Sequence, residues 1–147
     1  MANKKIVDIT LSGNPKICAR SIFFDDKKSD VKSKNKKQFI TSEPATLRVT
    51  FDDKTTLELF ADKGTIFDGA TIPFNIGKGN MKLLIPALFH DIMCDNKSLV
   101  NYDRKLADMI FRECLVKCQV NRVFAEIMYM HVEAYQKLFC NWRKTDG

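Results

Sequence analysis

His90 and Asp91 stand side by side at the end of the apolar run that begins at Leu83. Downstream, Arg104 and Asp108 lie four residues apart; upstream, Asp68 sits between Phe67 and Gly69. A histidine can act as a general base, a carboxylate can orient it, and a guanidinium can hold an anionic substrate or transition state. Polar groups on otherwise apolar segments are costly to bury unpaired, so Asp68, His90, Asp91, Arg104 and Asp108 are expected to converge. Open to a cleft, these five form a candidate catalytic cluster. Sealed and mutually hydrogen-bonded, they are structural glue. No activated nucleophile and no complete metal set can be assembled from the sequence. His90 and His131 are the only histidines, and the close Cys/His spacing of a zinc site is absent. No metal and no cofactor is expected.

The segments around these residues indicate how they are positioned. Asp68-Gly69 is a turn signal, and Pro73 keeps Thr71-Ile72 extended. Leu83 to Cys94 reads as a helix near Ile85–Cys94, with Pro86 in its first turn, where a missing N–H costs nothing. Adjacent helix residues point about 100° apart, so His90 and Asp91 can line one groove but cannot grip one small ion unaided. A second helix is expected near Tyr102–Gln119, with Asp103 at its N-terminus. Its face of Ala107, Ile110, Phe111, Cys114, Leu115 and Cys118 points inward. Arg104 and Asp108 share a stripe with Phe111 and Leu115, which turns that pair toward the core. A third helix starts at the N-cap Asn121 and runs to about Cys140, with Phe124, Ile127, His131, Ala134, Tyr135 and Leu138 as its inner face. His131 on that face is expected to be a satisfied core residue.

The first half of the chain has the two-residue period of strands. Lys5–Leu11, Ile17–Phe24 and Phe39–Thr41 are strand candidates. Thr46–Phe51 and Thr55–Phe60 flank Asp52-Asp53-Lys54 as the clearest hairpin. A further strand ends at Asp68. The reading is an α+β fold: a small N-terminal antiparallel β-sheet followed by three C-terminal helices. One domain is expected over 1–147, β-rich over 1–74 with a basic loop at 26–38, and helical over 79–141.

The 147 residues are enough for one buried core, and the 45% hydrophobic and 29% charged fractions are those of a globular protein. No run of about 18 apolar residues suggests a membrane span, and the N-terminus does not read as a signal peptide. Five cysteines without CxxC spacing argue against a disulfide framework, and Cys114 and Cys118 read as small apolar groups on a helix. The net charge of +6 is concentrated: six lysines, Lys27, Lys28, Lys32, Lys34, Lys36 and Lys37, against Asp30 give one segment +5. The segment reads as a solvated loop between strands. Its alternative role is a basic arm for an acidic partner, either nucleic acid or a protein surface, without aromatics for base stacking.

The series F-D-G-A-T-I-P, A-L-F-H-D, D-R-K-L-A-D-x-x-F and A-x-x-M-Y-x-x-V resembles a phage and prophage family known as a domain of unknown function. That family is marked by a T-D-G-A-S-x-P turn, an H-D-x-x-Y helix and an R-x-x-A-D-x-x-F helix. The resemblance runs from about Gly64 to Tyr135. It falls on Asp68, Gly69, Ala70, Pro73, His90, Asp91, Arg104, Ala107, Asp108, Phe111, Met128 and Tyr129. Thr71 replaces the usual Ser, and Cys94 follows His-Asp near the place of the usual aromatic. The resemblance implies a phage context, among structural or lysis genes, and no established reaction. H-D-x-x-C is also similar to the active-site helix of secreted phospholipase A2, but the glycine-rich calcium loop and dense disulfides of that class are missing. Metal-dependent phosphohydrolases share H-D and need further histidines.

Two function classes follow. The first is a virion structural or assembly protein of head, neck or tail, made in the bacterial host cytoplasm and packed against other virion proteins. The alternative is a phage-encoded hydrolase using His90 and Asp91 with Asp68 and Arg104.

Overall fold

A computed structural model describes residues 4–20, 38–67 and 81–142. Among the described residues, six strands precede three helices: β1 Ile6–Ser12, β2 Ile17–Arg20, β3 Gln38–Thr41, β4 Ala45–Phe51, β5 Thr56–Ala61, β6 Ile66–Phe67, α1 Met81–Asp95, α2 Arg104–Lys117 and α3 Arg122–Phe139. The fold is α+β. The strands form two antiparallel three-stranded sheets, ordered β1-β4-β5 and β2-β3-β6, rather than the single sheet expected. The division depends on pairing between distant segments: β6 joins β3, with Phe39 opposite Phe67, and not its sequence neighbour β5.

The β4–β5 hairpin follows its sequence pattern. Leu47, Val49, Leu59 and Ala61 are fully buried on one face, while Arg48 and Glu58 pair across the other at 2.6 Å. Lys54 takes a positive φ of 71° to close the turn, and Phe51 N–H donates to the Thr55 carbonyl at 2.9 Å. In β1 the expected alternation breaks. The register with β4 shifts between Ile6 and Asp8. That bulge puts Val7 in solvent while Ile6 packs on the core. Gly13, at φ +88°, turns the chain toward β2, where a Cβ would lie 2.7 Å from the Pro44 carbonyl oxygen.

Helix α1 begins at Met81, so Pro86 lies inside it rather than in its first turn. An interior proline costs about 3 kcal/mol relative to alanine. Its neighbours Leu83, Leu84, Ala87, Leu88 and Phe89 offset this by burying their side chains, at roughly 1.5–3 kcal/mol for each large one. A 3-10 turn over Lys97–Val100 follows, and Asn101 and Tyr102 both take positive φ, at 54° and 60°. This reversal lays α2 back along α1. Asp103 caps α2, accepting from Leu106 N–H at 3.1 Å, and Asn121 caps α3, accepting from Val123 N–H at 2.8 Å. Ala107, Ile110, Phe111, Cys114 and Leu115 form the inner face of α2.

The face of α3 differs from the expected one. Ala125, Met128, Val132 and Gln136 are buried. Ile127, Tyr135 and Leu138 are exposed, and so is His131, which is not a core residue. α3 carries a polar stripe of Arg122, Glu126, Glu133 and Lys137, but the apolar arc beside it is wider than the packed side, so hydrophobicity alone does not select which part of that arc is buried. The small Ala125 and Val132 allow the close approach that does. Among the described residues, no helix is long and apolar enough to cross a membrane.

Candidate active site

Helix geometry places His90 and Cys94 one turn apart on the same side of α1, and α2 presents Asp108 to them. Asp108 Oδ1 lies 2.9 Å from His90 Nε2, and Arg104 donates to Oδ2 at 2.7 Å. The His90 and Asp108 side chains are 1% and 0% exposed, and that of Arg104 is 18% exposed. A carboxylate paired with a guanidinium can only accept, so His90 Nε2 carries the proton and Nδ1 is left as the acceptor. Cys94 Sγ stands 3.7 Å from Nδ1, with its thiol as the donor. Gln136 Nε2 on α3 donates to the same sulfur at 3.3 Å, and Trp142 Nε1 holds Gln136 Oε1 at 2.6 Å. The donors therefore run in one direction, from the Trp142 indole through Gln136, Cys94 and His90 to Asp108. The Phe111 ring packs against the imidazole, with centroids 5.2 Å apart.

The sulfur end of this chain opens on a cavity of about 170 Å³ lined by His90, Asp91, Cys94, His131, Val132, Tyr135, Gln136 and Cys140. Burial pushes the Cys94 thiol up to about 12, with a further contribution from the Asp91 charge. At rest the sulfur is a neutral thiol. Farther along α2, Cys118 accepts from the Cys114 thiol. This bond, with burial, raises Cys114 well above the ordinary thiol range, and the bond lowers Cys118 against the opposing effect of burial.

Of the five residues expected to converge, the structure brings His90, Arg104 and Asp108 into one hydrogen-bonded cluster. Asp91 is half-buried and lines the cavity, and Asp108 holds His90 Nε2. Arg104 is engaged by Asp108. Asp68 lies outside the described residues, as do Lys27, Lys28, Lys32, Lys34, Lys36 and Lys37. Among the described residues, no group of three or more His, Cys, Asp or Glu is placed to hold a metal ion. The sequence reading missed Cys94, Gln136 and Trp142 as members of the network. Two signals pointed to them: the i,i+4 spacing of His90 and Cys94, and a glutamine four residues after Val132.

A two-sheet α+β domain with a helix-borne His–Asp–Arg cluster is the class that fold and site define. The chain belongs to the family described as "Protein of unknown function (DUF1353)", whose family model matches residues 46–132. That span runs from the hairpin to Val132, partway along α3, and includes His90, Asp91, Arg104 and Asp108. No curated protein and no solved structure matches the chain.

Proposed function

We propose that this chain is a bacteriophage-encoded virion structural or assembly protein, a component of head, neck or tail that packs against other virion proteins. The observation that carries the reading is the outer face of α3. Val123, Ile127, Met130 and Leu138 are between 56% and 74% exposed there, on a helix whose opposite face is already packed. An apolar face of this kind marks a protein contact. The mutually hydrogen-bonded His90–Asp108–Arg104 cluster supports the reading as a lock between α1 and α2, and the phage context comes from the motif resemblance. Lys27–Lys37 would supply a basic contact to an acidic partner, nucleic acid or protein. The double substitution Ile127→Glu/Met130→Glu is expected to leave thermal unfolding nearly unchanged and to exclude the chain from assembled particles. Normal incorporation of the double variant, or absence of the chain from purified particles, refutes it.

A hydrolase is the second reading, favoured by one observation: the cavity reaches His90, whose proton position Asp108 sets. In this reading Asp108 orients the base, and Arg104 acts through Asp108.

A further inference from the structure

We infer that Cys94 is a nucleophile, and that Cys94, His90 and Asp108 with Gln136 form an acyl-transfer site for small neutral esters or thioesters. The inference rests on the hydrolase reading and goes beyond it by naming the attacking atom and the substrate class. A virion component can carry such a site, so the assembly reading does not depend on it.

Four observations carry the assignment. The atom in hydrogen-bonding position on the acceptor nitrogen of His90 is Cys94 Sγ, at 3.7 Å. Asp108 holds the opposite nitrogen at 2.9 Å and fixes the tautomer that leaves Nδ1 as the base. The Gln136 amide N–H points at the sulfur from 3.3 Å, where the oxygen of an attacked carbonyl would lie within its reach, and Trp142 keeps that amide from turning over. The sulfur borders a cavity of about 170 Å³, and a cavity of roughly 150 Å³ accepts a benzene-sized group.

The cavity also defines the substrate. Val132 and Tyr135 give it an apolar wall, which suits a short aliphatic or aromatic acyl group. Asp91 beside the thiol disfavours an anionic one.

The resting thiol is protonated, so attack and proton transfer occur together. Cys94 Sγ bonds to the carbonyl carbon as its proton passes to His90 Nδ1, and Asp108 stabilises the imidazolium. The carbonyl electron pair moves to oxygen and returns as the bond to the leaving alcohol or thiol breaks. The leaving group takes the proton from His90. Water, deprotonated by His90, then hydrolyses the acyl-thioester, releasing the acid and restoring the thiol.

The test uses the full chain with p-nitrophenyl butyrate, reading nitrophenol release together with peptide mass mapping for a butyryl group. The expected result is a butyryl adduct on Cys94 in preference to the exposed Cys18, absent in Cys94→Ala. In His90→Gln its formation should slow about 100-fold or more, as for loss of a general base. If His90→Gln does not fold, the adduct and its loss in Cys94→Ala still decide the matter. An adduct confined to Cys18, or an acylation rate unchanged in a folded His90→Gln, overturns the proposal. Turnover that survives Cys94→Ala but not His90→Gln removes the thiol step and leaves a hydrolase that activates water directly. No turnover and no adduct removes both readings.

Discussion

Replacing Asp108 by Asn keeps the shape of the side chain and removes its charge. Asp108 is 0% exposed and accepts from His90 at 2.9 Å and Arg104 at 2.7 Å. Asparagine offers one acceptor oxygen for two donors, so either the imidazole or the guanidinium meets an NH2 group. Arg104, only 18% exposed, also loses its counter-charge. Breaking a buried ion pair by removing one partner costs about 3–5 kcal/mol. The retained hydrogen bond places Asp108→Asn at the lower end, about 3 kcal/mol, a large part of a typical domain stability of roughly 5–15 kcal/mol. At roughly 3 °C per kcal/mol for a chain of this size, the melting temperature should fall by about 10 °C. Urea unfolding should show a lower midpoint at unchanged slope. Arg104→Met in the same background should add less than its own single cost, with a coupling of about 1–3 kcal/mol. A loss under about 1 kcal/mol for Asp108→Asn, or a coupling near zero, would show that the cluster does not hold α1 to α2.

Two further outcomes follow from the site and the sequence. The folded-state Cys94 thiol titrates at about 12 against an ordinary value of 9.0. The folded protein therefore binds more protons than the unfolded chain between those values, so this contribution is complete below pH 9, falls as pH rises, and is gone above about pH 12. Urea midpoints from pH 8 to 11 should fall less steeply in Cys94→Ala than in the parent; identical slopes would refute the coupling. Replacing Lys28, Lys32, Lys34 and Lys36 by Gln should change stability by no more than about 0.5 kcal/mol, read by thermal melting, and a large loss would make the segment part of the fold.

How much of this was legible in the sequence differs from element to element. The hairpin was, because Leu47, Val49 and Leu59 alternate with polar residues and one register puts all three inside. The Arg104–Asp108 pair was, because helix spacing puts both on one stripe with Phe111. The specific pairing of His90 with Asp108, among five groups expected to converge, was not. Asp91 is its neighbour in sequence but leaves the helix in another direction, whereas Asp108 reaches it only once the turn at Asn101 and Tyr102 folds α2 against α1. The buried face of α3 was not legible either: Phe124, Ile127, Met128, Met130, Val132 and Leu138 spread over an apolar arc wider than the side that packs, and the choice within it belongs to the partner surface. The split into two sheets depends on β6 crossing to β3, a pairing with no local sequence signature.

Trp142 is the chain's single tryptophan. Its indole is half-buried, with the Lys97 ammonium 5.3 Å from the ring centroid and the Gln136 amide oxygen on its N–H. Emission excited at the red edge of the ultraviolet band therefore comes from one place, two hydrogen bonds from the sulfur. The wavelength and lifetime of that light form a built-in optical gauge. Any small molecule that enters beside Cys94, or any change in how Gln136 is held, alters the polarity around a lone fluorophore, and titrations can be followed without a label.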